Sequence, residues 1–228
     1  MADEYILAID LGTSGCKAAL VDLFGKVHAW EFRGVEPILP PGGGAEQNPD
    51  DWWRAINEAC QALIRQNVAP ASSIIAICAN TQGEGTLPVD KNGKPLCNAV
   101  LWMDTRGAAL VRKRMSGLVN ISGFAPAKIF RFIRLTGGAP SLTGKDPVGH
   151  MLFIKHEKPD IYLRTYKFLN VLDYVNYKLT GNMVSTVDSL MTSWVTDNRS
   201  PGRITLDSGL CGLIGISQEK IPEPVPCT

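Results

Sequence analysis

An aspartate closing an apolar run, followed by glycines and hydroxyl residues, is the pattern in this chain best suited to chemistry: Ile9-Asp10-Leu11-Gly12-Thr13-Ser14-Gly15-Cys16-Lys17. Gly12 and Gly15 free the backbone to turn sharply, so main-chain N–H groups and the hydroxyls of Thr13 and Ser14 can converge on phosphate oxygens. Asp10 beside them can hold a hydrated magnesium ion, because that metal prefers carboxylate and phosphate oxygens and keeps much of its water. The glycine spacing excludes a Walker A loop and a dinucleotide fingerprint, and a strand rather than a helix follows. An ordinary hairpin turn stays open as the competing reading, since small polar residues collect in turns for conformational reasons alone.

The elements that must position this turn follow from periodicity. Residues 5–10 and 16–21 are apolar runs on either side of it, and 27–32 reads as a third strand, which makes an antiparallel meander. Three prolines and three glycines within 37–44 predict a loop. Asn48 as cap and Pro49 at the first helical position open an amphipathic helix to about Gln66. Residues 74–79 read as a buried strand, with Cys78 as a small core residue, and 86–89 and 99–102 as strands around the turn Asp90-Lys91-Asn92-Gly93. Strand, helix, strand alternation predicts an α/β domain.

Beyond Asp104 the pattern turns helical, over 106–115, over 147–157 with Asp146 as cap, and over 174–179 closed by Gly181. Arg112-Lys113-Arg114 reads as a solvated helix face, and the alternating prolines of 221–226 as a linker or surface strap.

Composition narrows the partners. The 228 residues carry 23 Lys and Arg against 22 Asp and Glu, a net charge of +1 that gives no electrostatic reason to expect nucleic acid or an anionic membrane. No run approaches the roughly 18 apolar residues of a membrane span, and the start Met1-Ala2-Asp3-Glu4 is acidic where a signal peptide is basic, so a cytoplasmic protein is expected. The six cysteines lack metal-ligand spacing and are read as reduced thiols.

The Asp-x-Gly-Thr hairpin in a three-strand meander resembles the phosphate-1 loop of the actin-like ATPase superfamily. Ala45-Glu46-Gln47-Asn48-Pro49-Asp50-Asp51-Trp52-Trp53, Asn92-Gly93-Lys94-Pro95, Ala99-Val100-Leu101-Trp102-Met103-Asp104-Thr105-Arg106 and Lys178-Leu179-Thr180-Gly181 resemble the FGGY-family carbohydrate kinases in order and spacing over essentially the whole chain. Within that family the second and fourth of these five stretches look most like xylulokinases. The resemblance implies an α/β, ribonuclease-H-like domain with a mixed sheet, an opening antiparallel three-strand meander and flanking helices. It also implies ATP- and Mg2+-dependent phosphorylation of a sugar or polyol hydroxyl, with Asp10, Gly12, Thr13 and Ser14 facing the phosphates and metal.

By the same resemblance Gln82, Gly83, Glu84, Trp102 and Asp104 stand where the substrate is read, and all these residues are expected to border one cleft. Gln82 agrees with both xylulokinases and glycerol kinases, Glu84 agrees with the glycerol-kinase type, and Gly83 replaces a bulkier residue. Glu84 can accept two hydroxyl hydrogens or be a solvated loop carboxylate. Trp102 and Asp104 can line a sugar pocket or be a core tryptophan and a helix cap. The chain is expected to be the N-terminal, substrate-side domain over 1–228, with the general base and the C-terminal ATP-binding domain lying beyond Thr228. It is therefore expected to be inactive alone, with homodimerisation of the full-length protein kept open. A non-catalytic sugar-binding or partner domain that keeps the kinase fold, or a kinase for another FGGY substrate such as glycerol, is the alternative.

Overall fold

The structure, a computed structural model, describes residues 4–200 and 202–227. Its chain forms two compact units, one built from residues up to Pro37 with Gln47–Gln82, the other from Ile38–Glu46 with the residues from Gly83 onward.

The first unit is the expected meander with one helix. Strands β1 (Tyr5–Gly12), β2 (Gly15–Asp22) and β3 (Val27–Gly34) pair antiparallel, Gly12 opposite Gly15 at the turn. The two-residue β4 (Glu46–Gln47) lies where the chain returns to this unit, and helix α1 (Pro49–Arg65) follows, its start capped by the Asn48 side chain accepting from Asp50 N. Period-2 alternation puts Tyr5, Leu7, Ile9 and Leu11 on the buried side of β1, and Trp52, Ala55, Ile56, Ala59 and Leu63 form the buried stripe of α1. Strand β5 (Ile74–Thr81) then pairs parallel to β1, in the order β3-β2-β1-β5.

Here one expectation fails. Strand β5 is an edge strand, with Ile75 55% and Ile77 51% exposed and Cys78 also exposed. Its apolar run reads as a core strand, but α1 packs against β2 and β3 at the other side of the sheet, so neither face of β5 is covered by α1.

The second unit is mainly helical around short strand pairs. Strand β6 (Leu87–Val89) bridges to β7 (Ala99–Val100) through Thr86 and Val100, with the Asp90 to Lys94 turn between, so Trp102 lies past the strand rather than in it. Helices α2 (Ala108–Met115), α3 (Pro126–Thr136), α4 (Pro147–Glu157) and α5 (Pro159–Arg164) follow, then β8 (Lys167–Leu169), antiparallel to β6, and α6 (Val171–Thr180), ended by Gly181 in the left-handed conformation. Beyond them come β9 (Val184–Thr186), α7 (Val187–Met191), β10 (Thr196–Asp197), β11 (Thr205–Leu206), α8 (Ser208–Ile214) and β12 (Glu223–Val225). Periodicity missed α3, α5, α7 and α8. Helix α4 is buried all round from Pro147 to Ile154, which makes it the centre of this unit's core.

The proline-rich tail is not a loose strap, because β12 pairs parallel with β9 and Ile221 is buried. Alternating prolines permit this, because the backbone groups of successive strand residues point to opposite edges, so a strand with a proline at every second position keeps one edge on which no N–H is missing. Among the described residues no helix is long and apolar enough to cross a membrane.

Three glycines bring backbones into contact at the start of α4. A Cβ on Gly107 would fall on the Gly149 backbone, and one on Gly149 would fall on the Gly144 backbone. Gly149→Ala is expected to destabilise the protein by about 1–3 kcal/mol through overpacking. Gly212→Ala, in a helix with open space at its Cβ position, should be neutral or stabilising by up to about 1 kcal/mol. Urea titration of both variants checks the contrast.

Candidate functional site

In the first unit the residues expected to face phosphate lie together on the hairpin turn. Asp10 is exposed near the end of β1, its Oδ1 accepting a long 3.3 Å hydrogen bond from Asn80 Nδ2. Ser14 is exposed, and Gly12 and Thr13 are half-buried. Gly15 must be glycine: its φ is +150° and a Cβ would strike the Arg33 carbonyl and the Phe32 ring. An exposed carboxylate beside a hydroxyl-bearing turn suits a hydrated magnesium ion with phosphate. Among the described residues no group of three His, Cys, Asp or Glu gathers to encase a metal.

The turn is held by a buried amide outside the residues expected to touch phosphate or sugar. Gln47 is fully buried; its Nε2 donates to Thr13 O at 2.7 Å, and its Oε1 accepts from Trp52 Nε1 at 2.9 Å and from Gln82 Nε2 at 2.7 Å. Gln82 Oε1 in turn accepts from the Thr13 hydroxyl at 3.0 Å. Both polar ends of the Gln82 side chain are thus engaged within the protein, so Gln82 braces Thr13.

In the second unit Glu84 stands out. It has φ +57° between Gly83 and Gly85, a left-handed conformation that costs a non-glycine residue about 1 kcal/mol or more. Gly85 cannot carry a side chain, because a Cβ there would meet Val171 Cγ2 at 2.5 Å. The Glu84 carboxyl is half-buried and accepts no hydrogen bond from the described residues; burial, and then the negative charge of Asp146, push its pKa up. Nothing lies within 4 Å of a Cβ placed on Gly83.

Behind this segment lies a buried polar group. His150 is fully buried, with Nδ1 3.1 Å from Thr86 Oγ1 and its ring against the Glu84 backbone. Burial pushes its pKa down to about 4, against the opposing pull of Asp104.

Trp102 is 42% exposed, which removes the reading as a core tryptophan. Asp104 is 1% exposed: its Oδ2 accepts from Ala45 N at 2.8 Å and Arg106 Nε at 2.9 Å, and its Oδ1 from Arg106 N at 2.9 Å. Arg106 also donates to Glu46 at 2.7 Å and lies 4.1 Å over the Phe153 ring. Burial would raise the pKa of Glu46, but hydrogen bonds from Arg106 and Asn98 and the charge of Lys158 outweigh it and hold it below the usual range. Asp104, Arg106 and Glu46 together pin the 43–46 loop, where Leu101 N also bonds Ala45 O and Thr105 N bonds Gly43 O.

Two outcomes are expected. Arg106→Leu leaves buried Asp104 without its cationic partner and Glu46 with Lys158 as its remaining ion pair, and should cost about 3–5 kcal/mol, read by chemical denaturation at neutral pH. His150 takes up its proton in the unfolded chain near pH 6.5 but in the folded one only near 4, so its contribution is fully present above pH 6.5 and is lost as the pH falls through that window. Asp173, raised to about 6 by burial, works in the opposite sense below pH 6. The stability difference between the wild type and His150→Gln isolates the histidine, and should shift against the wild type by about 3 kcal/mol between pH 7.5 and 4.

Comparison with known proteins brings these features together. The family model for the FGGY family of carbohydrate kinases, N-terminal domain, matches residues 5–228. A xylulose kinase of Bacillus subtilis is 28% identical over 226 residues, covering 96% of this chain and 41% of the relative. A glycerol kinase of Trichodesmium erythraeum is 27% identical over 236 residues, covering 98% of this chain and 43% of the relative. The crystal structure of Plasmodium falciparum glycerol kinase with ADP superimposes with a TM-score of 0.82 at 20% identity, over 98% of this chain and 43% of that one. The chain thus spans less than half the length of the relatives it matches.

Proposed function

The chain belongs to the FGGY family of carbohydrate kinases, and from that premise we propose that it forms the sugar-reading part of an enzyme that transfers a phosphoryl group from ATP to a hydroxyl of a ketose, with xylulose the preferred acceptor. The observation that carries this reading is the Glu84 carboxylate: half-buried, set on strained left-handed backbone, and without a donor from the described residues. Such a group is satisfied by sugar hydroxyls, and strain of this kind gathers at ligand-binding positions. The open space at Gly83 favours a five-carbon ketose over glycerol, because nothing there closes the site around a three-carbon chain.

On this reading Asp10, with Gly12, Thr13 and Ser14, holds the phosphates and a magnesium ion. Bound there, Mg-ATP would supply the transferable phosphoryl group and neutralise its charge. Gln82 fixes the Thr13 hydroxyl and Gln47 the Thr13 carbonyl, so the turn keeps one shape before ligand arrives. Glu84 orients the sugar, Trp102 offers an aromatic face to its C–H side, and Asp104 acts indirectly, through Arg106 and the 43–46 loop. The acceptor for the attacking hydroxyl's proton is assigned to the part of the relatives that this chain does not match.

Isothermal titration of residues 1–228 should show D-xylulose binding more tightly than glycerol. Glu84→Ala should weaken the sugar at least about tenfold, the loss of one charged hydrogen bond, while Asp10→Asn leaves sugar affinity unchanged. Glycerol binding tighter than xylulose would reassign the substrate, and an unchanged Glu84→Ala affinity would remove Glu84 from the site. In a coupled ADP-release assay the same chain should show no sugar-dependent turnover, since positioning both reactants supplies about 7–11 kcal/mol of rate enhancement and half of that machinery is assigned elsewhere. Sugar-dependent turnover abolished by Asp10→Asn would overturn that assignment.

A further inference from the structure

The basic triplet Arg112-Lys113-Arg114, read from sequence as a solvated helix face, meets other cations in the second unit. Lys113 and Arg114 of α2, Lys128 of α3, and Lys155 and His156 of α4 line one cavity of about 380 Å3, with Leu152 in its wall and no carboxylate among its lining residues. In a chain of net charge +1, a carboxylate-free hollow walled by four fixed positive charges is a marked local excess.

Helix dipoles account for part of this gathering, not all of it. The last turns of α2 and α4 bring Lys113, Arg114, Lys155 and His156 here, and Gly215 at the end of α8 adds a third C-terminus. At roughly half a negative charge each, three helix ends offset less than half of the four positive charges. Two of the lysines are also held in place. Lys128 Nζ donates to Arg114 O at 2.6 Å and Ser116 O at 2.9 Å, and Lys155 Nζ donates to Gly215 O at 2.6 Å. Since an ammonium group has three donors, each keeps at least one free. The side chains of Lys113, Arg114 and His156 make no hydrogen bond or ion pair with the described residues.

We propose that this cavity is a binding site for a small phosphate-bearing metabolite, separate from the hairpin turn and from Glu84. Anchored ammonium groups give it a preset shape, and the free guanidinium of Arg114 can take two phosphate oxygens at once. Its concavity and modest volume select a small polyanion over an extended nucleic acid strand. The site rests on its own residues, and its test is binding rather than turnover, so its fate is independent of the kinase reading.

The test titrates residues 1–228 with inorganic pyrophosphate, with sulfate as a control at matched ionic strength. Saturable one-to-one binding is expected, tighter than sulfate, and weakened at least about tenfold in the double variant Lys113→Gln/Arg114→Gln, since each lost charge-assisted bond contributes about 1.5–3 kcal/mol. Both side chains are exposed, so the double variant should keep the wild-type thermal midpoint. Arg131→Gln, which removes an arginine paired with Asp207 outside this cavity, should bind as wild type. Equal binding by wild type and the double variant, or affinity no better than sulfate, overturns the proposal. Poly-glutamate binding more tightly than pyrophosphate overturns it in favour of an acidic protein partner.

Discussion

One buried amide organises the first unit. Gln47 takes donors from Trp52 and Gln82 and gives one to the Thr13 carbonyl, so a helix, a strand end and the hairpin turn share a single side chain with no access to water. Buried amides are costly unless satisfied, and satisfied ones specify geometry sharply. The conformation of the Gly12 to Gly15 turn is therefore set by tertiary contacts as much as by its glycines. A flexible loop would pay an ordering cost each time it closed on phosphate; a braced one has met that cost on folding.

The second unit applies the same principle with charges. Glu46 and Asp104 are both nearly buried, and Arg106 answers both while stacking on Phe153. Removing two carboxylates from water is unfavourable by several kcal/mol each, and the planar guanidinium offsets this on both sides, with Lys158 adding a second positive charge beside Glu46. The loop at 43–46 is held by this network. His150 sets a boundary of another kind: burial keeps it neutral against the backbone of the Glu84 segment.

Strain and solvation meet at Glu84. A left-handed glutamate with a raised pKa is a residue that folding alone would not favour. The flanking glycines permit it, and Val171 makes one of them obligatory. Asp146 is spent differently, capping α4 and accepting from Ser141 N, Gly149 N and Trp194 Nε1. Of these two carboxylates, Glu84 is the one whose oxygens accept no hydrogen bond from the described residues.

The sequence by itself determined the meander, the α1 helix and its cap, the α4 boundaries and the glycine-stopped end of α6, though not its start at Val171, because two-residue alternation, Asn-Pro and Asp-Pro starts and glycine stops are local signals. It also placed Asp10, Thr13 and Ser14 on one turn, since they are neighbours in the chain. The tertiary structure alone decided which polar residues remain available. Gln82 and Asp104 have the right chemistry for substrate, yet their hydrogen bonds are taken by residues 35 to 69 positions away, or by Arg106 next to the loop they pin. The exposure of β5 was likewise undecidable locally, because an apolar run encodes a preference for burial and not the presence of a covering element. The gathering of Lys113, Arg114, Lys128, Lys155 and His156 followed only when three helices packed, for charge on a helix face is legible in sequence but the face opposite it is not.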